Sequence, residues 1–134
     1  MIIQNEFNLY PSNMLPERFC YPEKYVRISN DTSLIPYIQP HNFHWWFENY
    51  GTEGAEVAYI FRNSILPDLN LIPFASNGEW EAYFDGNDVT GNPRVIVINL
   101  DNIENHEFFN SFEEWLELAI RDLCKNSLLT KFDA

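Results

Sequence analysis

Cationic residues are scarce in this chain. Eight Lys and Arg stand against 20 Asp and Glu among 134 residues, a formal net charge of -12. A surface this acidic repels nucleic acid and anionic lipid, and attracts a basic protein. The imbalance is steeper in the second half, -9 over residues 68–134 against -3 over residues 1–67. Keeping an aromatic-rich protein in solution is the competing use for such charge. Cysteine is sparse as well, and Cys20 and Cys124 match no paired metal-ligand spacing, which leaves two buried or unreactive thiols. No apolar run approaches the roughly 20 residues of a membrane-crossing helix. The first residues, MIIQNEFNLYP, lack the basic start and apolar centre of a secretory signal. The expectation is a cytoplasmic protein with neither a membrane nor a nucleic acid as partner.

Aromatic residues are plentiful: 11 Phe, 7 Tyr and 4 Trp in a chain that is 46% hydrophobic. That composition opposes disorder, and the length suits one domain, residues 1–134, with a substantial core. The clearest pattern lies between residues 69 and 100. Trp80, Ala82 and Phe84 alternate with Glu81 and Tyr83, as in a strand with one buried face. Asn77-Gly78 and Asp85-Gly86 flank it with residues suited to reversals. Val95 to Ile98 is a β-branched apolar run that suits a strand buried on both faces. Residues 79–84 and 94–100 therefore form an antiparallel pair, joined by a connection too long for a two-residue turn.

Elsewhere the elements are shorter. Prolines 11, 16, 22, 36 and 40 interrupt the first forty residues. Pro22-Glu-Lys-Tyr-Val-Arg-Ile28 suits a short helix opened by Pro22, with Tyr25 and Ile28 on one face; the same letters could also form an extended strand. Residues 30–33 read as a turn or cap. Residues 56–61 read as a strand, with Val57, Tyr59 and Phe61 on one side and Ala58 and Ile60 on the other. Pro67 and Pro73 make residues 65–74 an irregular or edge segment. Near the C-terminus, Ser111 and Glu114 form a capping box ahead of Phe112, Trp115, Leu116, Ala119, Ile120 and Leu123, an amphipathic helix that ends near Asn126 before fraying residues. The fold class is α+β: a central, mostly antiparallel sheet flanked by helices, with a C-terminal amphipathic helix.

No catalytic constellation is present. The chain has no GxSxG turn, HExxH helix, Walker loop or dinucleotide fingerprint, and no cofactor is implied. His41 and His44, with His106 far away, lack a carboxylate or cysteine at ligand spacing. Asp85-Gly-Asn87-Asp88 lacks the spacing of a helix-loop-helix calcium site. His106-Glu107 has no nucleophile set by spacing. In the aromatic cluster of residues 41–48, Phe43, Trp46 and Phe47 are expected to cover the core. Trp45 is a candidate exposed binding anchor, with core or edge packing as its other use.

Four segments bear a family resemblance: Tyr21-Pro-Glu-Lys-Tyr25; Leu71-Ile-Pro-Phe74-Ala-Ser-Asn-Gly78 with a following strand and Asp85; Val95-Ile-Val-Ile98; and Asn110-Ser-Phe-Glu-Glu-Trp-Leu116. Together they resemble the SUKH superfamily, bacterial immunity proteins related to a fungal regulator of cell-wall synthesis. The resemblance is concentrated in residues 57–120, and the family's Asn-Gly after the first helix is absent at Ser29-Asn30-Asp31. It implies helices around a central sheet, no catalytic residues, and a function of binding and neutralising a cognate toxin domain, often a nuclease. Charge points separately to a basic partner. The candidate contacts, chosen on charge, are Glu79, Glu81, Asp85, Asp88, Asp101, Glu104 and Glu107, with Trp45 as the aromatic anchor. A regulatory or scaffold module and a divergent metal-assisted hydrolase are the alternatives.

Overall fold

The computed structural model describes residues 4–35 and 43–125, with side chains as far as Arg121. Expectations for His41, Leu123, Cys124 and the fraying beyond Asn126 lie outside these. Among the described residues, five strands form one antiparallel sheet in chain order: β1 (Trp46–Phe47), β2 (Leu71–Asn77), β3 (Trp80–Asp85), β4 (Val95–Asn99) and β5 (Asn102–Phe109). Three α-helices in the same residues accompany it: α1 (Glu23–Asn30), α2 (Glu53–Ile65) and α3 (Phe112–Lys125).

The expected central pair is present. Trp80 sits opposite Asn99 and Phe84 opposite Val95. Trp80, Ala82 and Phe84 face the larger core, together with Val95 and Val97; Tyr83, Ile96 and Ile98 face a smaller cluster on the other side. Gly78 takes a φ of 62° in the β2–β3 turn, which a side chain would resist. Gly86 leaves β3 so close to Asn70 that an added Cβ would lie 2.3 Å from the Asn70 carbonyl oxygen.

The helical reading of residues 22–28 holds, with Pro22 at the cap position just before α1. Tyr25 and Ile28 are both buried. Tyr25 is surrounded by the rings of Phe7, Tyr21, Phe47, Phe74, Phe84 and Phe112. α3 also starts as expected: Ser111 Oγ accepts the Glu114 amide at 3.2 Å. The Glu114 carboxylate reaches back one residue further than a capping box requires, to the Asn110 amide at 3.3 Å. Phe112, Trp115, Leu116 and Ala119 are buried beneath it.

Two expectations are corrected. Residues 56–61 belong to α2, not to a strand. Every residue from 57 to 61 is apolar or aromatic, so alternation and helical periodicity fit equally well. The local cap decides: Thr52 Oγ1 accepts the Ala55 amide at 3.3 Å, and Glu53 and Glu56 sit at the positive end of the helix. The second correction concerns Pro73, which lies within β2, a strand between two neighbours rather than at the edge. A register shift between Pro73 and Ala75 turns Phe74 and Ala75 both toward the larger core. β1 pairs only with Ala75 and Ser76, so no ladder partner stands at Pro73 on that side.

Candidate partner-binding surface

The four acids within residues 79–88 do not form one patch. Glu79 is exposed in the β2–β3 turn. Glu81 points from β3 to the face opposite Trp80 and is only 5% exposed. Asp85, equally buried, accepts from Arg94 Nη2 at 2.8 Å, from Arg94 Nε at 3.2 Å and from the Asn87 amide at 2.9 Å. Asp88 accepts from Thr90 N and Oγ1 and from the Arg94 amide. Slight burial opposes its charge, but these hydrogen bonds and the Arg94 cation outweigh it and hold the carboxyl below the usual aspartate range. The two aspartates thus brace the β3–β4 connection. Among the described residues no group of three or more His, Cys, Asp or Glu side chains could hold a metal.

Trp45 is no exposed anchor. It is 3% exposed, with its ring edge-on to Trp115 at 5.3 Å between centroids. The exposed ring belongs to Trp46, which pairs with Ser76 and so turns to the other face of the sheet. Of its neighbours, Phe47 is buried as expected and Phe43 is partly buried against the core.

Asp101, Glu104 and Glu107 are all exposed, on the β4–β5 turn and on β5. Leu100, Ile103 and Phe108 are exposed alongside them, Phe108 by 49%. Between Arg94 and Arg121 the chain has six acids and no lysine or arginine. This hairpin brings acids and apolar side chains together at one edge of the sheet, where an aqueous partner can reach both.

Two features had no clear signal in the sequence. Glu48 and Glu81 are neighbours on one sheet face. Trp46 sits opposite Ser76 and Ser76 opposite Glu81, and Glu48 follows Trp46 by two residues, its amide donating to Phe74 O at 2.9 Å. One oxygen of each carboxyl is buried without a hydrogen-bond partner. Burial pushes Glu48 up to about 7; burial, and then the charge of Glu48, push Glu81 up to about 9. The pairing spans strands far apart in the chain, so no local motif announces it. The second feature is an apolar stripe on α2, where Val57, Ile60 and Phe61 face outward and Ile60 is 70% exposed.

An antiparallel sheet flanked by helices, closed by a capped Ser-Phe-x-x-Trp-Leu helix, is now in place, and the family model for "SMI1 / KNR4 family (SUKH-1)" matches residues 5–118. The chain belongs to the SMI1/KNR4 family. The match reaches well ahead of residue 57, so the N-terminal coil and α1 of this SUKH-1 protein are part of the family domain. SUKH-1 proteins are non-catalytic interaction modules, in keeping with the chain's lack of a catalytic motif. No curated protein and no solved structure matches the chain. No helix among the described residues is long and apolar enough to cross a membrane.

Proposed function

We propose that this SUKH-1 protein is an immunity protein that acts in the cytoplasm, binding a cognate bacterial toxin domain whose contact surface is basic. The observation that carries this reading is the β4–β5 hairpin, where Asp101, Glu104 and Glu107 lie beside exposed Leu100, Ile103 and Phe108. Acids at the rim of such a surface speed encounter with a cationic partner, and apolar side chains hold it once docked. A nuclease toxin suits this logic, because the surface that grips nucleic acid is itself basic and would be occluded by the acidic hairpin.

The test is to look beside the gene for a toxin with a variable C-terminal domain and to co-express that domain with this protein. Growth rescue with a stable complex is the expected result. The variant Asp101→Asn/Glu104→Gln/Glu107→Gln should slow association by about tenfold or more at low salt, with the difference shrinking at high salt. Toxicity undiminished by the wild-type protein, with no complex formed, would overturn the reading.

A further inference from the structure

The two edges of the sheet are finished differently. At the β1 edge, Gln4 Oε1 accepts the Phe47 amide at 2.8 Å and Gln4 Nε2 donates to Phe47 O at 2.7 Å. One side-chain amide thus stands in for a neighbouring strand. Asn8 continues the seal, its amide donating to Asn49 Oδ1 at 2.8 Å and its carbonyl accepting from the Tyr50 amide at 2.9 Å.

At His106 and Phe108 of β5, none of the described residues provides such cover. The Asp85 amide donates to Arg94 O at 2.9 Å and the Leu100 amide to Glu79 O at 2.7 Å. These bonds set the phase of the β3–β4 ladder, so Ile96 and Ile98 turn their backbone groups to β3 while Val95 and Val97 turn theirs to β5. Their partners on β5 are Phe109 and Glu107. The backbone N–H and C=O groups of His106 and Phe108 therefore point outward, and none of the described residues bonds them. Natural edges are commonly blunted by proline, lysine or a bulge. β5 has neither Pro nor Lys, and its register shift is confined to residues 103–105.

We infer that the outer edge of β5 at residues 106–108 receives an extended strand of the basic partner, which joins the sheet as a sixth strand. This rests on the reading of the protein as a toxin-binding module. The side chains state the chemistry of the occupant. Glu107 lies on one face of β5, Phe108 and His106 on the other. A strand that alternates Lys or Arg with apolar residues meets both, charge against Glu107 and apolar contact against Phe108. A second copy of this chain is a poor occupant, because antiparallel pairing of two β5 edges through residues 106–108 brings Glu107 against its own equivalent.

The experiment follows amide hydrogen exchange by NMR in the full 134-residue protein, alone, with the toxin domain found beside the gene, and with the capped peptide Val-Lys-Val-Arg-Val-Lys. Exchange at the His106 and Phe108 amides is expected to slow by about tenfold or more in both mixtures. Methylating one alternate set of peptide nitrogens should abolish the effect, and methylating the other set should leave it. Phe108→Pro, which removes an outward N–H and leaves the β4 ladder intact, should weaken toxin binding. A toxin complex that leaves both amides exchanging freely overturns the strand-addition inference and leaves the immunity reading standing. Absence of any toxin complex overturns the immunity reading, and the peptide then decides the edge alone, with unchanged exchange at millimolar peptide counting against it. Protection that grows with protein concentration in the absence of any partner also overturns it, since the occupant is then a second copy.

Discussion

On one face of the sheet Phe74 stacks on Phe84 at 4.2 Å between centroids, with Phe112 and Trp115 edge-on to Phe74. On the other face Leu71, Tyr83, Ile96 and Ile98 are just as buried, but their cover is Ile65, Leu66 and Leu69 and their neighbours include Glu81 and Glu48. The first face gains stability from close aromatic packing. The second sets apolar burial against the cost of desolvating two carboxyls. Equal burial therefore does not mean equal contribution, and the two faces should respond to different perturbations: the first to lost volume, the second to proton concentration.

The largest effect is expected on the aromatic face. Trp115→Ala removes a ring packed against Trp45, Phe47, Phe74 and Phe112, and should cost roughly 3–5 kcal/mol in chemical denaturation. A loss below about 0.5 kcal/mol would mean that α3 is not anchored through this residue.

The carboxyl face should show an intermediate effect that depends on pH. The folded state retains a proton on Glu81 that the unfolded chain has released, because burial raises the folded pKa to about 9 from about 4.5. The stability linked to this group is fully present below pH ~4.5 and is lost as pH rises toward ~9. Glu81→Gln cannot ionise. It should match the wild type below about pH 4 and exceed it by on the order of 2 kcal/mol at pH 6. Other acids slope both proteins alike, so the difference between the two curves isolates Glu81. Parallel curves would show that the carboxyl is not desolvated.

The smallest effect belongs to the outer face of α2. Ile60→Ser should change the unfolding midpoint by less than about 0.5 kcal/mol equivalent, since the side chain is 70% exposed. A larger loss would place this stripe under cover in the free protein and extend the apolar face beyond the sheet.

Much of this architecture was legible in local patterns. The β3–β4 pair announced itself through alternation and flanking Asn-Gly and Asp-Gly, α3 through its cap and apolar spacing, and α1 through Pro22 ahead of Tyr25 and Ile28. α2 reads as a strand because five consecutive apolar residues carry no period, and only the Thr52 cap with Glu53 and Glu56 in the first turn points locally to a helix. β2 was demoted because Pro73 argues against a central strand, and nothing nearby in sequence reveals a neighbour of only two residues. The acidic cluster failed for a related reason. Charges close in sequence fall on opposite faces of a strand or turn inward to brace a loop, and Arg94, outside residues 79–88, supplies the countercharge for Asp85. Trp45 and Trp46 exchanged roles because adjacent strand residues point in opposite directions. Glu104 and Glu107 stay on the surface because β5 is an edge strand, and Asp101 because it lies in the turn before it.

The connection from β3 to β4 is held at its base. Gly86 donates its amide to Asn70 O at 2.7 Å, Asp85 grips Arg94, and the two strands resume their register on either side. Residues 89–92 lie beyond these fixed posts, tied locally by Thr90 to Asp88 and by the Asn92 amide to Thr90 Oγ1. Lengthening a loop costs closure entropy that grows only slowly with its length, so insertions and deletions there leave strand pairing undisturbed. Gly86 lacks that freedom, because any Cβ would strike backbone rather than a side chain that can swing aside. The tip of this loop therefore tolerates changes of length, while its base ties the same two strands together at the same register.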